Sequence, residues 1–397
     1  MHTNGRPWRT NLVIAATSTV VSFCVLFLVG EVFIRATKPH SSPATQRSRS
    51  LEYEASLFAR HVFPATPQEK RSRWGNSYLI NRRGYRGEDF AVPKPAEMTR
   101  IVVLGGSAAF DIRASEGRDW PSLLQEDLLA AGVDSVEVIN AAVPGHASWD
   151  SLGRLYSEIW MLAPDYVIVY HCWNDLKYFD RLRPGNSLLR MYRPKKTEKA
   201  PSQLVENPFI YDRGWLDRLL LHSQLYVRLR ERFLLWKTGR VGLEGRVVTP
   251  GKRESADPGD EPDWGREQFA LNLRLLADAA RAIDARPVFV TQARLVSADN
   301  TASDRERIGY DLVGMSDQRL VEGFEACDEA LLQVGADQEV PVIDASEALT
   351  GNSAYFEDHV HTTSEGSAAL ARVLADGLYE LLGGSGRHGA AKDSTPH

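Results

Sequence analysis

From residue 101 onward the chain alternates short β-branched apolar runs with helical stretches, and this order constrains the fold more than any other feature. Residues 101–104 form such a run, as in a strand buried on both faces of a parallel sheet, and Gly105-Gly106 ends it. Asp119 is placed as an N-cap before Trp120, Leu123, Leu124, Leu128 and Ala131, which share one helical face. A strand at 136–141, a helix at 148–162 and a strand at 165–170 repeat the unit. Strands joined through helices need crossover connections, so a parallel sheet is predicted. The alternation breaks over 181–264, rich in Pro, Gly and charge, which reads as an insertion or lid. It resumes with a helix at 266–285, a strand at 287–292, a helix at 317–334 and a strand at 340–343. Thr362 and Glu365 have capping-box spacing before a last helix whose Leu370, Val373, Leu374, Leu378 and Leu381 share a face. The tail 383–397 is small and polar and is expected to be disordered.

The N-terminal region differs in kind. Residues 12–34 are nearly free of charge, and the first eighteen of them carry none. At about 1.5 Å per residue they are long enough to cross a ~30 Å hydrocarbon layer, so one transmembrane helix is expected within 1–37. A cleaved signal peptide and a buried core helix are the alternatives; no small-x-small site precedes Glu31, and the run is long for a signal peptide. Arg6 and Arg9 compete with Arg35, Lys38, Arg47 and Arg49, leaving the orientation open. Residues 38–73, rich in Pro, Ser, Thr and Arg, read as a juxtamembrane linker, and 74–382 as one large domain. A net charge of −5, from 52 acidic and 47 basic side chains, provides no basic field for nucleic acid. Cys24, Cys172 and Cys327 are too few and scattered for a disulfide framework or a thiolate metal site.

In open parallel sheets, ligands gather at the carboxyl ends of the strands. The loops there hold Gly105-Gly106-Ser107, the run from Asn140 to Pro144-Gly145, and Trp173-Asn174-Asp175; Asp358-His359-Val360-His361 precedes the last helix. A serine hydroxyl needs a neighbouring base to remove its proton, which suits His361, and Asp358 would orient the imidazole and stabilise its positive form. A three-residue spacing lets one turn present both acid and base. The rival nucleophile elbow requires Gly-x-Ser-x-Gly, and Ala109 occupies its last position.

The four blocks, in this order, resemble the SGNH (GDSL-like esterase/lipase) superfamily, with its Gly-Asp-Ser, Gly, Gly-x-Asn-Asp and Asp-x-x-His blocks. The resemblance runs from about Asn81 to Leu382, and Asn81-Arg-Arg-Gly84-Tyr-Arg86-Gly87 is similar to the segment leading into the first strand of membrane-anchored members. Two positions depart from the pattern: Gly106 replaces the aspartate and Cys172 the glycine of the third block. The resemblance implies an α/β three-layer sandwich with a central parallel sheet of about five strands, SGNH or flavodoxin-like, preceded by one transmembrane helix. It implies Ser107, Asp358 and His361 as the catalytic triad. The oxyanion donors it implies are the Ser107 and Gly145 backbone N–H groups and the Asn174 side chain.

Other readings stand beside these. Asp358, His359 and His361 could be metal ligands, but no second ligand cluster accompanies them, so neither metal nor cofactor is expected. His359 is expected to face away from the site. His171 and Trp173 read equally as pocket wall or core. A helix candidate at 215–236 mixes Leu216, Leu219, Leu220, Tyr226, Val227 and Leu234 with Arg213, Arg218, Arg228, Arg230 and Arg232; it reads as a lid helix packed on the core with its arginines solvated, or as a membrane-interface helix. The function expected is a serine esterase removing acyl groups, O-acetyl above all, from an envelope glycan or related polar substrate. The alternative is an O-acyltransferase using Ser107, supplied by a separate membrane partner. A non-enzymatic binding module is disfavoured, because every catalytic position holds a competent residue. The expected location is the cytoplasmic membrane, single-pass, with the catalytic domain outside it.

Overall fold

The computed structural model describes residues 7–37; 53–182 apart from 54, 55, 57, 73 and 181; 184, 223, 225, 226 and 229; and 263–383. They fall into two compact units, one holding 7–37 with the described positions 223–229, the other holding the rest. The expected insertion at 181–264, its 215–236 helix candidate and the tail after 383 lie almost wholly outside the described residues.

In the first unit, helix α1 (Pro7–Thr37) contains the apolar stretch Leu12–Thr37, with a mean hydropathy of 2.5. By length and composition it can cross a membrane. Its Glu31 carboxylate accepts from Ser223 Oγ at 2.7 Å, the Leu225 N–H at 2.8 Å and Arg35 Nε at 2.7 Å.

The second unit begins with an antiparallel ribbon of β1 (Gln68–Arg71) and β2 (Ser77–Ile80). There follow β3 (Thr99–Gly105), α2 (Ser107–Phe110), α3 (Trp120–Ala130), β4 (Val136–Asn140), α4 (Ser148–Ser157), β5 (Tyr166–Tyr170) and α5 (Trp173–Phe179). From residue 264 onward come α6 (Trp264–Arg281), β6 (Arg286–Val290), α7 (Ala302–Arg307), α8 (Asp317–Asp337), β7 (Val342–Ile343), α9 (Ala345–Leu349) and α10 (Ser364–Leu381). Five strands form one parallel sheet in the order β4-β3-β5-β6-β7. Helices α3, α9 and α10 pack together on one face and α4, α5, α6 and α8 on the other, giving the expected three-layer sandwich. β5 is buried at every position and β3 from Arg100 onward, which is why both read as continuous apolar runs. From β3 the chain steps out to β4, then returns across β3 to β5. The strand order therefore reverses between the carboxyl ends of β3 and β5, the crevice where ligands bind in such sheets.

Two expectations are corrected, and a third holds in position only. The linker does not extend to residue 73: Tyr53 and Phe63 are buried in the core, and β1 is already part of the ribbon. Apolar aromatics in a polar stretch carry no periodicity, so only packing reveals their role. The N-cap of α10 is Thr363, whose hydroxyl accepts the Gly366 N–H at 3.1 Å. Thr362 Oγ1 instead donates to Asp111 at 3.0 Å. Asp119 does stand at the N-cap of α3, but its carboxylate makes no capping bond; it lies 3.3 Å from Arg86 Nε and accepts from Asn140 Nδ2 at 3.1 Å.

Candidate active site

Ser107 opens α2 directly after β3. Gly106 before it is extended, and a Cβ there would lie 2.4 Å from Asn174 Nδ2 and 2.8 Å from the His146 carbonyl. No side chain fits that gap without moving its neighbours.

The loop before α10 brings acid and base to the serine. The Glu357 N–H donates to the His361 carbonyl at 2.8 Å, closing a tight turn, and Asp358 Oδ1 accepts the Val360 and His361 N–H groups at 3.2 and 3.1 Å. Within that turn His361 Nδ1 lies 2.8 Å from both Asp358 oxygens, and Nε2 lies 2.8 Å from Ser107 Oγ. Burial pushes the Asp358 carboxyl up, but the adjacent His361 imidazole and its hydrogen bond outweigh this and hold it well below the usual carboxylate range. Asp358 is therefore an acceptor, which assigns the imidazole proton to Nδ1 and leaves Nε2 to accept the Ser107 hydroxyl proton. Arg113 Nη2 donates to the other Asp358 oxygen at 2.8 Å.

Asn174 sits in the first turn of α5, whose start is tied by the Trp173 N–H donating to Gln292 Oε1 at 2.7 Å. Its Nδ2 donates to the His146 carbonyl at 2.8 Å, and its Oδ1 accepts from Lys177 Nζ at 2.7 Å. A cavity of about 10 Å³ beside Ser107 is lined by Gly106, Cys172, Trp173, Asn174, Gln292 and Val360, among others. By that measure it has room for about one water molecule.

Gly145 is brought less close. It takes φ +90°, a conformation open mainly to glycine, but does not line this cavity. Its loop is clamped by the segment just before β1: His61 Nε2 donates to the Pro144 carbonyl at 2.9 Å, and Arg60 donates to the Gly145 carbonyl. Arg60 Nε also donates to Asp150 at 2.9 Å. Burial pushes the Asp150 carboxyl up, yet Arg60 beside it wins and holds it below its ordinary range.

Contrary to expectation, His359 does not face away from the site; its ring packs against Trp173 at a centroid distance of 3.8 Å, and its Nδ1 lies 3.6 Å from Asp358 Oδ1. Burial lowers it to about 3. Ligand atoms of Asp358, His359 and His361 all lie within 4.8 Å of one another. Both His361 nitrogens and both Asp358 oxygens are already hydrogen-bonded, so a cation would have to displace those bonds. Trp173 and His171 both line the cavity, and His171 is also a core residue, buried and paired with Ser151 Oγ at 2.8 Å. Arg113, Lys177 and Gln292 are the site residues that sequence reasoning missed. Gln292, two residues past the end of β6, was within reach of the same strand-end rule; Arg113 carried no local signal.

A stretch of 76 residues is 34% identical to an arylesterase of Vibrio mimicus, matching 19% of this chain and 38% of that protein, so the chain spans about two-fifths of the relative it matches. Among solved structures, the lipase/acylhydrolase from Enterococcus faecalis is similar at 18% identity and a TM-score of 0.40, covering 72% of this chain and 96% of that one. An acetyl xylan esterase from Geobacillus stearothermophilus is similar at 11% identity and a TM-score of 0.39, covering 72% and 97%. No family model matches the chain.

Proposed function

We propose that the protein is an SGNH-type serine esterase that removes small acyl groups, acetyl above all, from an envelope glycan or related polar substrate. The observation that carries this reading is the chain of contacts from Ser107 Oγ through His361 to Asp358, each 2.8 Å, at the switch point of the sheet. The local identity with an arylesterase supports the reaction class. His361 Nε2 takes the hydroxyl proton as Ser107 Oγ attacks the acyl carbon, and Asp358 stabilises the imidazolium that forms. The Ser107 N–H and the Asn174 amide, with Gly145 from the adjoining loop, are the donors for the oxygen that becomes negative. His361 then protonates the departing alcohol, leaving the acyl group on Ser107. Water, deprotonated by His361, releases the acid.

The test uses the full-length chain in detergent with p-nitrophenyl acetate, butyrate and octanoate, with and without a glycan acceptor. Hydrolysis is expected to be fastest on acetate, to fall about 10⁴-fold or more in Ser107→Ala and His361→Ala, and by roughly 10²–10³-fold in Asn174→Ala. Activity that survives Ser107→Ala sinks the proposal. Ser107-dependent transfer to the acceptor, with little hydrolysis, makes the protein an O-acyltransferase instead, which requires a partner to supply the acyl group.

The same proposal places α1 across the cytoplasmic membrane as an uncleaved anchor, with the catalytic domain on the outer side, where an envelope glycan is met. A reporter fused after His397 should be active only outside the cytoplasm; a cytoplasmic signal excludes that substrate.

A further inference from the structure

Arg113 follows α2 by three positions and reaches back to the acid of the Ser107–His361–Asp358 set. Its Nη2 donates to Asp358 Oδ2 at 2.8 Å, and its Nη1 lies 3.8 Å from Glu357. The guanidinium stacks over Trp74, 4.6 Å from the ring centroid, and the arginine side chain is 19% exposed. Trp74 sits at the tip of the β1–β2 ribbon, and the ribbon is tied to the segment that carries Arg113: Asn76 Nδ2 donates to the Ile112 carbonyl at 3.2 Å and to the Ala114 carbonyl at 2.7 Å. The backbone around Arg113 is further pinned by Arg86, which donates to the carbonyls of Phe110, Asp111 and Ala114 at 2.7, 2.8 and 2.9 Å. An ordinary surface ion pair joins two freely rotating side chains and contributes little. Here the cation is stacked, partly buried, and held from the backbone on both sides.

We propose that Arg113 is a positioning residue for the reaction, orienting the Asp358 carboxylate, and through it the His361 ring towards Ser107, and offsetting part of the carboxylate's charge. This rests on the esterase reading above. The carboxylate stabilises the imidazolium, and a guanidinium on its far oxygen opposes that effect. Without Arg113 the carboxylate presents its full charge to the imidazolium and loses the contact that fixes its orientation. Among the described residues, the other charged or titratable groups that face the pair are Glu357 and His359 on its own loop and Lys177 on α5.

The experiment records kcat/KM and kcat on p-nitrophenyl acetate from about pH 5 to about pH 9 for the full-length wild type, Arg113→Gln, Arg113→Lys and Ser107→Ala. In Arg113→Gln the acidic limb of both profiles should move to higher pH by about half to one unit, with KM changing less than kcat. Arg113→Lys keeps the charge and should return the limb towards wild type, though without the planar stack on Trp74. If the Arg113→Gln limb superimposes on wild type, or Arg113→Lys moves it as far as Arg113→Gln does, the proposal is overturned while the esterase reading stands. Activity that persists in Ser107→Ala overturns both.

Discussion

Gly106 stands where the SGNH pattern that the sequence resembles has aspartate, and the Asn174 amide and the His146 carbonyl fill the space a side chain there would need. The departure thus follows from how closely the Ser107 and Asn174 loops approach each other. At the other departure, Cys172 is buried against the core, where burial, the largest influence, raises its thiol well above the ordinary value and keeps it protonated. It acts as a small apolar wall of the cavity. Histidines make a different demand. Burial lowers His61 to about 4 and His171 and His359 to about 3, and lowers His146 well below its ordinary value. All four are neutral in the folded chain, so below about pH 6.5 the unfolded chain binds more protons and acid favours unfolding. Asp111 and Asp175, raised by burial to about 6 and about 7, oppose this because their folded forms hold the extra proton. Glu116 and Asp328, also raised by burial, act in the same direction. The four imidazoles, whose ordinary and lowered values span this window, still set the sign, so the melting temperature should fall as pH drops from about 6.5 to about 4. Thermal unfolding followed by circular dichroism checks this. A level or rising melting temperature would mean that the imidazoles are solvated enough to take protons in place.

Among elements, the β1–β2 ribbon was the hardest to anticipate. Its strands are four residues each, and β1 reads Gln-Glu-Lys-Arg, with no alternation to mark it. What makes it a ribbon is the burial of Tyr78 and Ile80 in β2 and the hydrogen bond from the Arg86 N–H to the Asn140 carbonyl at 3.2 Å, which ties the following turn to edge strand β4. The Asn81-to-Gly87 block was legible as a motif, and the structure supplies its mechanics. Asn81 Oδ1 accepts the Arg83 and Tyr85 N–H groups at 2.9 and 3.1 Å, closing the turn, and Arg86 enters the core with its side chain fully buried. There it meets carbonyls of the segment after Ser107 and lies 3.3 Å from Asp119. Arg86→Met keeps the stem but strands the carbonyls and leaves Asp119 buried without its cation. A loss of about 3–5 kcal/mol in unfolding free energy is expected, measured by urea denaturation. A loss under about 1 kcal/mol would show that water replaces the guanidinium.

Across the whole molecule, the alternation of apolar runs and helical stretches was enough to predict a parallel sheet with helices on both faces, because buried strands and amphipathic helices are written in local hydrophobic period. Ser107, Asn174, Asp358 and His361 were legible for a related reason. Each lies beside a strand end or helix start, and Asp358 and His361 share one turn, so short-range spacing places them. Their meeting is another matter: Ser107 and His361 are 254 positions apart, and only the strand order β4-β3-β5-β6-β7 with the packing of α10 against α3 puts one ring nitrogen 2.8 Å from the hydroxyl. The same holds for the residues that no local pattern announced. Arg60 and His61 grip the Gly145 loop across 85 and 83 positions, and Arg113 reaches Asp358 across 245. Hydrophobic period and turn chemistry act within a few residues and so can be read along the chain. Hydrogen bonds between distant polar side chains depend on which backbones the folded core brings side by side, and that was decided only by tertiary packing.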